Sequence, residues 1–326
     1  RWAFSAAKFS APREMLERLH QSGFSVMLWV CPFITPDTAE YRTLEQRELL
    51  VCRADGTPHI AHWWNGWSAC LDMTKSEARR WLTEQLDQLM RLGVDGFKFD
   101  GGDGMYYPEG IGDIQSKAWA EFGKGYSLNE YRATTGAGGW PLMQRQCDKA
   151  HAWDKTGLAA LIPDAIVQSL TGHPYLCPDM IGGGEYKSFQ GKILLDEELV
   201  VRWAQAACLM PVMQFSAAPW RVLSVSNLKK VQNAVELRKR YQKQLLAALE
   251  QCAQTGEPVL RPMAYHFRDS CCLACTDQFL IGDSILVAPL LQKGATAREV
   301  YLPAGCWRNG NGSLFESKGQ IYCLDG

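Results

Sequence analysis

Between Thr74 and Gly104 the chain writes a complete helix-then-strand unit, and no other stretch limits the possible folds so sharply. Thr74-Lys75-Ser76-Glu77 has the form of a capping box. Leu82, Leu86, Leu89 and Met90 then recur at helical spacing until Gly93 offers a stop. Residues 94–100 have strand chemistry, and Gly101-Gly102-Asp103-Gly104 lets the backbone turn. Side chains alternate along an extended strand, so Lys98 and Asp100 share one face while Phe97 and Phe99 share the other. Two aromatics pack under a helix layer, but a lysine and an aspartate need a different destination. The mouth of a closed parallel barrel is one, because polar groups at strand C-termini meet substrate there. Asp100 is therefore a candidate catalytic carboxylate.

The same alternation recurs along the chain. Strand chemistry is expected over residues 26–30, 94–100, 141–147, 175–180, 211–216 and 259–267, with helical patterns between several of them. Repeated strand–helix units imply a parallel sheet. Four of these segments carry a polar residue, Asp100, Arg145, Asp179 and Gln214. Ligands spread over several strand ends fit a (β/α)8 barrel better than a doubly wound sheet, which concentrates them at one crevice. A barrel needs eight strands and the pattern yields six, so the expectation is an α/β (β/α)8 barrel over residues 1–268 that lacks its first one or two units. Beyond residue 268, the runs 278–280, 285–289 and 300–303, separated by Gly-rich turns, read as the start of an antiparallel β domain over 269–326.

The formal net charge of −1 argues against nucleic acid or an anionic membrane as the main partner. No apolar run reaches the roughly 18 residues a membrane helix needs. Twelve tryptophans and eleven tyrosines fit either sugar-stacking platforms or a large aromatic core. The twelve cysteines follow no small-scaffold pattern, and Cys31, Cys177 and Cys208 sit in apolar runs, so a reduced, cytoplasmic setting is expected. Cys271, Cys272 and Cys275 lie close together but have no second ligand pair nearby, so no metal is expected there.

One family carries these features in this order. The chain shows Lys8-Phe9, then Val26-Met27-Leu28-Trp29-Val30, then Gly96-Phe97-Lys98-Phe99-Asp100-Gly101-Gly102-Asp103. Pro178-Asp179-Met180-Ile181-Gly182-Gly183 follows, with Arg202-Trp203, Met213-Gln214-Phe215-Ser216 and Pro219-Trp220. Thr255-Gly256-Glu257-Pro258, Asp277-Gln278-Phe279 and Leu286-Val287-Ala288-Pro289 complete the set. In these motifs the chain resembles glycoside hydrolase family 31, the retaining α-glycosidases, in a branch for which α-galactosidase activity is implied.

That resemblance implies a carbohydrate substrate and neither metal nor cofactor. It makes Asp100 the nucleophile, the residue already chosen from strand geometry. Retention needs a second carboxyl group about 5–5.5 Å away to protonate the leaving oxygen. The family places it after a tryptophan in the loop beyond the next strand, here His151-Ala152-Trp153-Asp154, without the usual intervening glycine. Asp154 is preferred there, with a raised pKa expected of a general acid; Asp148 is the alternative, and Asp164 reads as a helix-capping residue. Lys98, which stands where many family α-glucosidases have tryptophan, is the expected counter-charge for Asp100 and a reader of a non-glucose hydroxyl pattern. Asp103, Arg145 and Asp179 match polar positions lining the site, and Trp29, Trp153 and Trp220 are candidate ring-stacking walls. His151 and His173 are given no role. The open alternatives are an α-glucosidase or α-xylosidase, a lyase using the same nucleophile, and a non-catalytic carbohydrate-binding barrel.

Overall fold

The computed structural model describes residues 2–310 and 312–325. Arg1 and Gly326, the outer bounds of the two expected domains, lie outside the described residues. The chain divides into two compact units, Arg1–Gln144 and Arg145–Gly326.

In the first unit the order is α1 (Pro12–Gln21), β1 (Met27–Val30), β2 (Phe33–Ile34), α2 (Ala39–Gln46), β3 (Ile60–Trp63), β4 (Gly66–Cys70), α3 (Ser76–Met90), β5 (Gly96–Phe99), α4 (Gly112–Gly123), β6 (Leu128–Tyr131) and β7 (Met143–Arg145). Strands β1, β5, β6 and β7 pair side by side, all parallel. Between β1 and α3 an antiparallel patch, β2-β4-β3, rises as a hairpin turning at Trp64 and Asn65. The expected strands at 26–30 and 94–100 are therefore present as β1 and β5.

Phe97 and Phe99 are fully buried. Phe99 stacks on Tyr131 at 5.0 Å and meets Trp119 of α4 edge-on at 5.3 Å. This is the helix-facing side of the sheet, as the strand alternation requires. Each such ring contributes on the order of 2–3 kcal/mol by burial.

Two local expectations do not hold. The capping box does not form: α3 begins at Ser76 without a side-chain cap, because the Thr74 hydroxyl donates 2.5 Å to Asp72 Oδ1 instead. Strand β6 was not among the expected strands, because its sequence Leu-Asn-Glu-Tyr lacks an apolar run. Its polar groups are satisfied from neighbouring elements. Asn129 Nδ2 donates to the carbonyls of Tyr126 and Pro141, and its Oδ1 accepts from Met143 N–H at 3.2 Å. A buried strand can be polar when every such group has a partner.

The second unit contains α5 (Leu161–Leu170), β8 (Tyr175–Cys177), β9 (Met180–Ile181), α6 (Tyr186–Phe189), α7 (Glu197–Ala207), β10 (Gln214–Phe215), α8 (Pro219–Val222), α9 (Val225–Thr255), β11 (Leu260–Pro262) and α10 (Ser270–Ala274). Strands β12 (Phe279–Ile281), β13 (Ile285–Val287), β14 (Ala297–Leu302), β15 (Gly305–Arg308), β16 (Leu314–Ser317) and β17 (Gln320–Asp325) follow. β9 and β10 are parallel, whereas β11-β12-β13, β14-β17 and β15-β16 are antiparallel. The switch from parallel to antiparallel pairing comes earlier than the boundary expected at residue 268. The strand expected over 259–267 as part of the barrel is only β11, which pairs antiparallel with β12 and ends at Pro262, where the chain turns into a 3-10 helix over Met263–Tyr265.

The single strand expected over 175–180 is broken in two, because Asp179 adopts φ +69° and cannot continue a ladder. Its core centres on Trp203, Leu199 and Ile162, all essentially inaccessible. Among the described residues no ladder returns to β1 to close a barrel, and no helix is long and apolar enough to cross a membrane.

Candidate active site

Asp100 follows the last residue of β5, and its own N–H donates 2.8 Å to the Val30 carbonyl, so the ladder fixes its backbone. Gly101 and Gly102 then turn the chain at φ +72° and +80°. A Cβ on Gly102 would stand 2.4 Å from the Trp119 ring, so this turn admits only glycine.

The Asp100 carboxylate is 8% exposed as a residue and engages donors on both oxygens. Trp29 Nε1–H donates to Oδ2 at 2.7 Å, and Gly101 N–H donates to Oδ1 at 2.9 Å. Arg132 Nε stands 3.7 Å from Oδ1. Cys31 lies close enough to feel the Asp100 charge; burial pushes its thiol up to about 12, so it is a neutral neighbour.

Register explains the grouping. Trp29, Lys98 and Glu130 are direct partners across β1, β5 and β6, and so form one row on one face. Two residues further along each strand, Asp100 and Arg132 follow on that face. Lys98 therefore does not stand as the counter-charge of Asp100: its Nζ pairs with Glu130 Oε1 at 3.0 Å, and the cation facing Asp100 is Arg132.

Arg132 Nη2 also donates to Asp103 Oδ2 at 2.6 Å, and the guanidinium lies over the Trp64 ring at 4.4 Å. Burial opposes its charge, but Asp103 and Asp100 outweigh that cost and hold its pKa above the ordinary value. Trp29 is half exposed and runs parallel to Trp63 at 6.4 Å between centroids. A cavity of about 530 Å³ opens beside them, with Trp29, Trp63, Phe33 and Asn65 in its wall.

In the second unit Arg145 and Asp179 are both buried, with Arg145 Nη1 2.6 Å from Asp179 Oδ1. Asp179 Oδ2 accepts the Lys149 N–H at 2.8 Å. Burial raises the Asp179 pKa, and the Arg145 charge and the backbone donors only partly oppose it. Arg145 Nη1 also reaches Asp148 Oδ1 at 2.7 Å, and Asp148 is exposed. Asp164 is no cap: it stands inside α5, which starts at Leu161, and pairs with Lys149 Nζ at 2.5 Å.

Asp154 is exposed, and Thr156 donates to its Oδ1 from the hydroxyl at 2.6 Å and the N–H at 2.8 Å. These bonds hold its carboxyl below the ordinary range, opposite to the direction expected from the sequence. Trp153 leans on the core and donates from Nε1 to Asp196 Oδ2 at 3.0 Å. His151 accepts the Asp196 N–H on Nε2 and meets the Gly182 carbonyl through Nδ1 at 2.7 Å, which defines its tautomer. Trp220, 72% exposed on α8, stands at an apolar groove with Phe215 and Val231.

The first unit thus gathers Trp29, Lys98, Asp100 and Asp103, and the second gathers Arg145, Asp148 and Asp179. Sequence reasoning missed Glu130, Arg132 and Trp64. The signal available was the Glu-x-Arg spacing of 130 and 132, which puts two charges on one strand face.

Residues 1–137 match the profile of the glycosyl hydrolases family 31 TIM-barrel domain, and residues 256–322 that of the glycosyl hydrolase family 31 C-terminal domain. The chain is 35% identical over 335 residues to the myogenesis-regulating glycosidase of Mus musculus, covering 96% of this chain and 46% of that protein. It is 30% identical over 319 residues to the SITS-binding protein of Tetronarce californica, covering 90% and 44%. Among solved structures, a family 31 sulfoquinovosidase from E. rectale with an aza-sugar inhibitor superposes with a TM-score of 0.84 at 18% identity, over 100% of this chain and 52% of that one. The cycloalternan-degrading enzyme of Trueperella pyogenes with isomaltose gives 0.86 at 24% identity, over 97% and 50%. These two likenesses are of fold alone. The chain spans about half the length of the curated relatives it matches. On its two matching domains and their shared order, the chain belongs to glycosyl hydrolase family 31.

Proposed function

We propose that this protein is a retaining α-glycosidase acting on terminal α-linked sugars, α-galactosides foremost. Asp100 attacks the anomeric carbon while the glycosidic C–O bond breaks and the leaving oxygen takes a proton from Asp154. Asp154 then removes a proton from water, which displaces Asp100 and releases the sugar with its configuration retained. The observation that carries this reading is the setting of Asp100: a buried carboxylate at a parallel strand's C-terminal end, with donors on both oxygens and an open cavity beside its tryptophan partner. Lys98, Asp103, Arg145 and Asp179 are assigned to hydroxyl recognition, and Trp29, Trp153 and Trp220 to ring contacts. The parallel strands are taken as part of a (β/α)8 barrel over residues 1–268, with a β domain over 269–326.

What supports galactosides is Lys98, a cation fixed in the row beneath the nucleophile. Relatives are named for other sugars, including a 1,3-alpha-isomaltosidase, an alpha-xylosidase and sulfoquinovosidases. A panel of nitrophenyl α-glycosides therefore comes first, with Asp100→Asn as the control. Loss of turnover in that variant is expected, and unchanged turnover overturns the assignment. For the proton donor a second reading has its own observation. Asp148 shares Arg145 with the buried Asp179, whereas Asp154 is turned to Thr156. Asp154→Asn and Asp148→Asn, compared on substrates with good and poor leaving groups, separate the two, because only loss of the true acid spares the good leaving group.

A further inference from the structure

Arg132 carries more than its sequence position announces. It lies just beyond β6, is largely withdrawn from solvent, and touches three groups at once. Its Nη2 donates to Asp103 at 2.6 Å, its Nε stands 3.7 Å from Asp100 Oδ1, and its flat face covers Trp64 at 4.4 Å. The Nε–H is buried and has no hydrogen-bond acceptor at that distance. Trp64 is itself held edge-on by Trp63 at 4.8 Å and belongs to the turn of the β3–β4 hairpin, half open to solvent. The guanidinium is thus sandwiched between an aromatic wall and two carboxylates, a geometry lysine does not reproduce.

We propose that Arg132 is a positioning residue that aims Asp100: Asp103 and Trp64 lock the guanidinium plane, and the plane fixes the Oδ1 side of the attacking carboxylate. This rests on the reading of Asp100 as nucleophile. Because the guanidinium acts on the carboxylate, its loss misaims the attack and leaves substrate binding in place. Losing the aim of a reacting group acts on kcat and leaves KM nearly unchanged.

The test uses the protein carrying this chain, with the aryl α-glycoside it turns over fastest and an α-configured cyclophellitol epoxide, whose opening by a carboxylate leaves a stable ester. Arg132→Met should lower kcat about a hundredfold with KM within about threefold, the scale of loss expected for a misaimed reacting group. Arg132→Lys should recover about tenfold of it, since the charge returns without the fork. Trp64→Leu should lower kcat severalfold, and it also serves if Arg132→Met does not fold. A residue that only braces the fold would lower the melting temperature and leave kcat per folded molecule unchanged. Folded Arg132→Met with kcat within threefold of the parent overturns the proposal, and so does Trp64→Leu with unaltered kcat. The epoxide keeps the underlying reading separate. Labelling of the peptide containing Asp100 in the parent protein upholds the nucleophile whatever Arg132 does. Labelling of a different peptide removes the nucleophile assignment, and the positioning role falls with it.

Discussion

Lys98 and Glu130 face each other across adjacent parallel strands, Nζ to Oε1 at 3.0 Å, with the Glu130 side chain 4% exposed. Burying a carboxylate this deeply is costly unless a cation answers it, so each partner depends on the other.

Breaking this pair from one side should show it. Glu130→Leu should destabilise the protein by about 3 kcal/mol, because Lys98 is left near a dry strand face. The double variant Lys98→Met with Glu130→Leu should recover most of that stability and still lose sugar turnover. Urea unfolding and the glycoside panel measure the two effects separately. A double variant as unstable as the single one contradicts the pairing.

Trp29 has two duties, a hydrogen bond to Asp100 and a flat face beside Trp63. Trp29→Phe keeps a ring and removes the donor. Activity should fall about tenfold, the equivalent of one hydrogen bond to a charged group, with little change in melting temperature. Activity equal to the parent's would mean the indole N–H is idle.

Phe99 is enclosed by Trp119, Phe122 and Tyr131. Phe99→Ala should cost about 3–5 kcal/mol through lost burial and a cavity. Chemical denaturation gives the number directly, and a cost below about 1 kcal/mol would show that the cluster collapses around the gap.

Asp179 adds a pH dependence with a definite sign. Burial lifts its folded-state pKa above the ordinary 3.8, so the native state holds the proton more tightly than the unfolded chain. Its contribution is full below 3.8 and is lost as pH rises through the raised value. Asp179→Asn should therefore gain on the parent as pH climbs through the window just above 3.8, relative to their difference at lower pH. Parallel stability curves across that window would count against it.

Thr156→Ala offers a check on Asp154. Removing the hydroxyl that holds its carboxyl low should raise the Asp154 pKa toward 3.8. Carbon-detected NMR titration reads this site by site, and an unmoved value would mean that the Thr156 N–H alone suffices.

The strand through Asp100 was readable because alternation separated Phe97 and Phe99 from Lys98 and Asp100, and the structure buries the two rings as that alternation requires. The partners of those charges were not. Glu130 and Arg132 lie on a strand whose Asn129 and Glu130 break the apolar pattern, and only the β5–β6 register brings them beside Lys98 and Asp100. Trp64 sits in a hairpin turn where sequence spacing carries no tertiary information. The capping box at Thr74 failed for a related reason, because Asp72 lies two residues away and competes for the same hydroxyl. Acid–base assignment was hardest, since loop residues such as Asp148 and Asp154 have no periodicity to place them.

The left-handed backbone at Asp179 has a consequence for anyone redesigning this site. Aspartate and asparagine tolerate that conformation and branched side chains do not. Position 179 thus filters replacements by peptide geometry before charge is considered. Most other side chains carry a strain cost of roughly 1–2 kcal/mol there, whereas a library restricted to Asp, Asn and Gly tests the side-chain chemistry largely free of that cost.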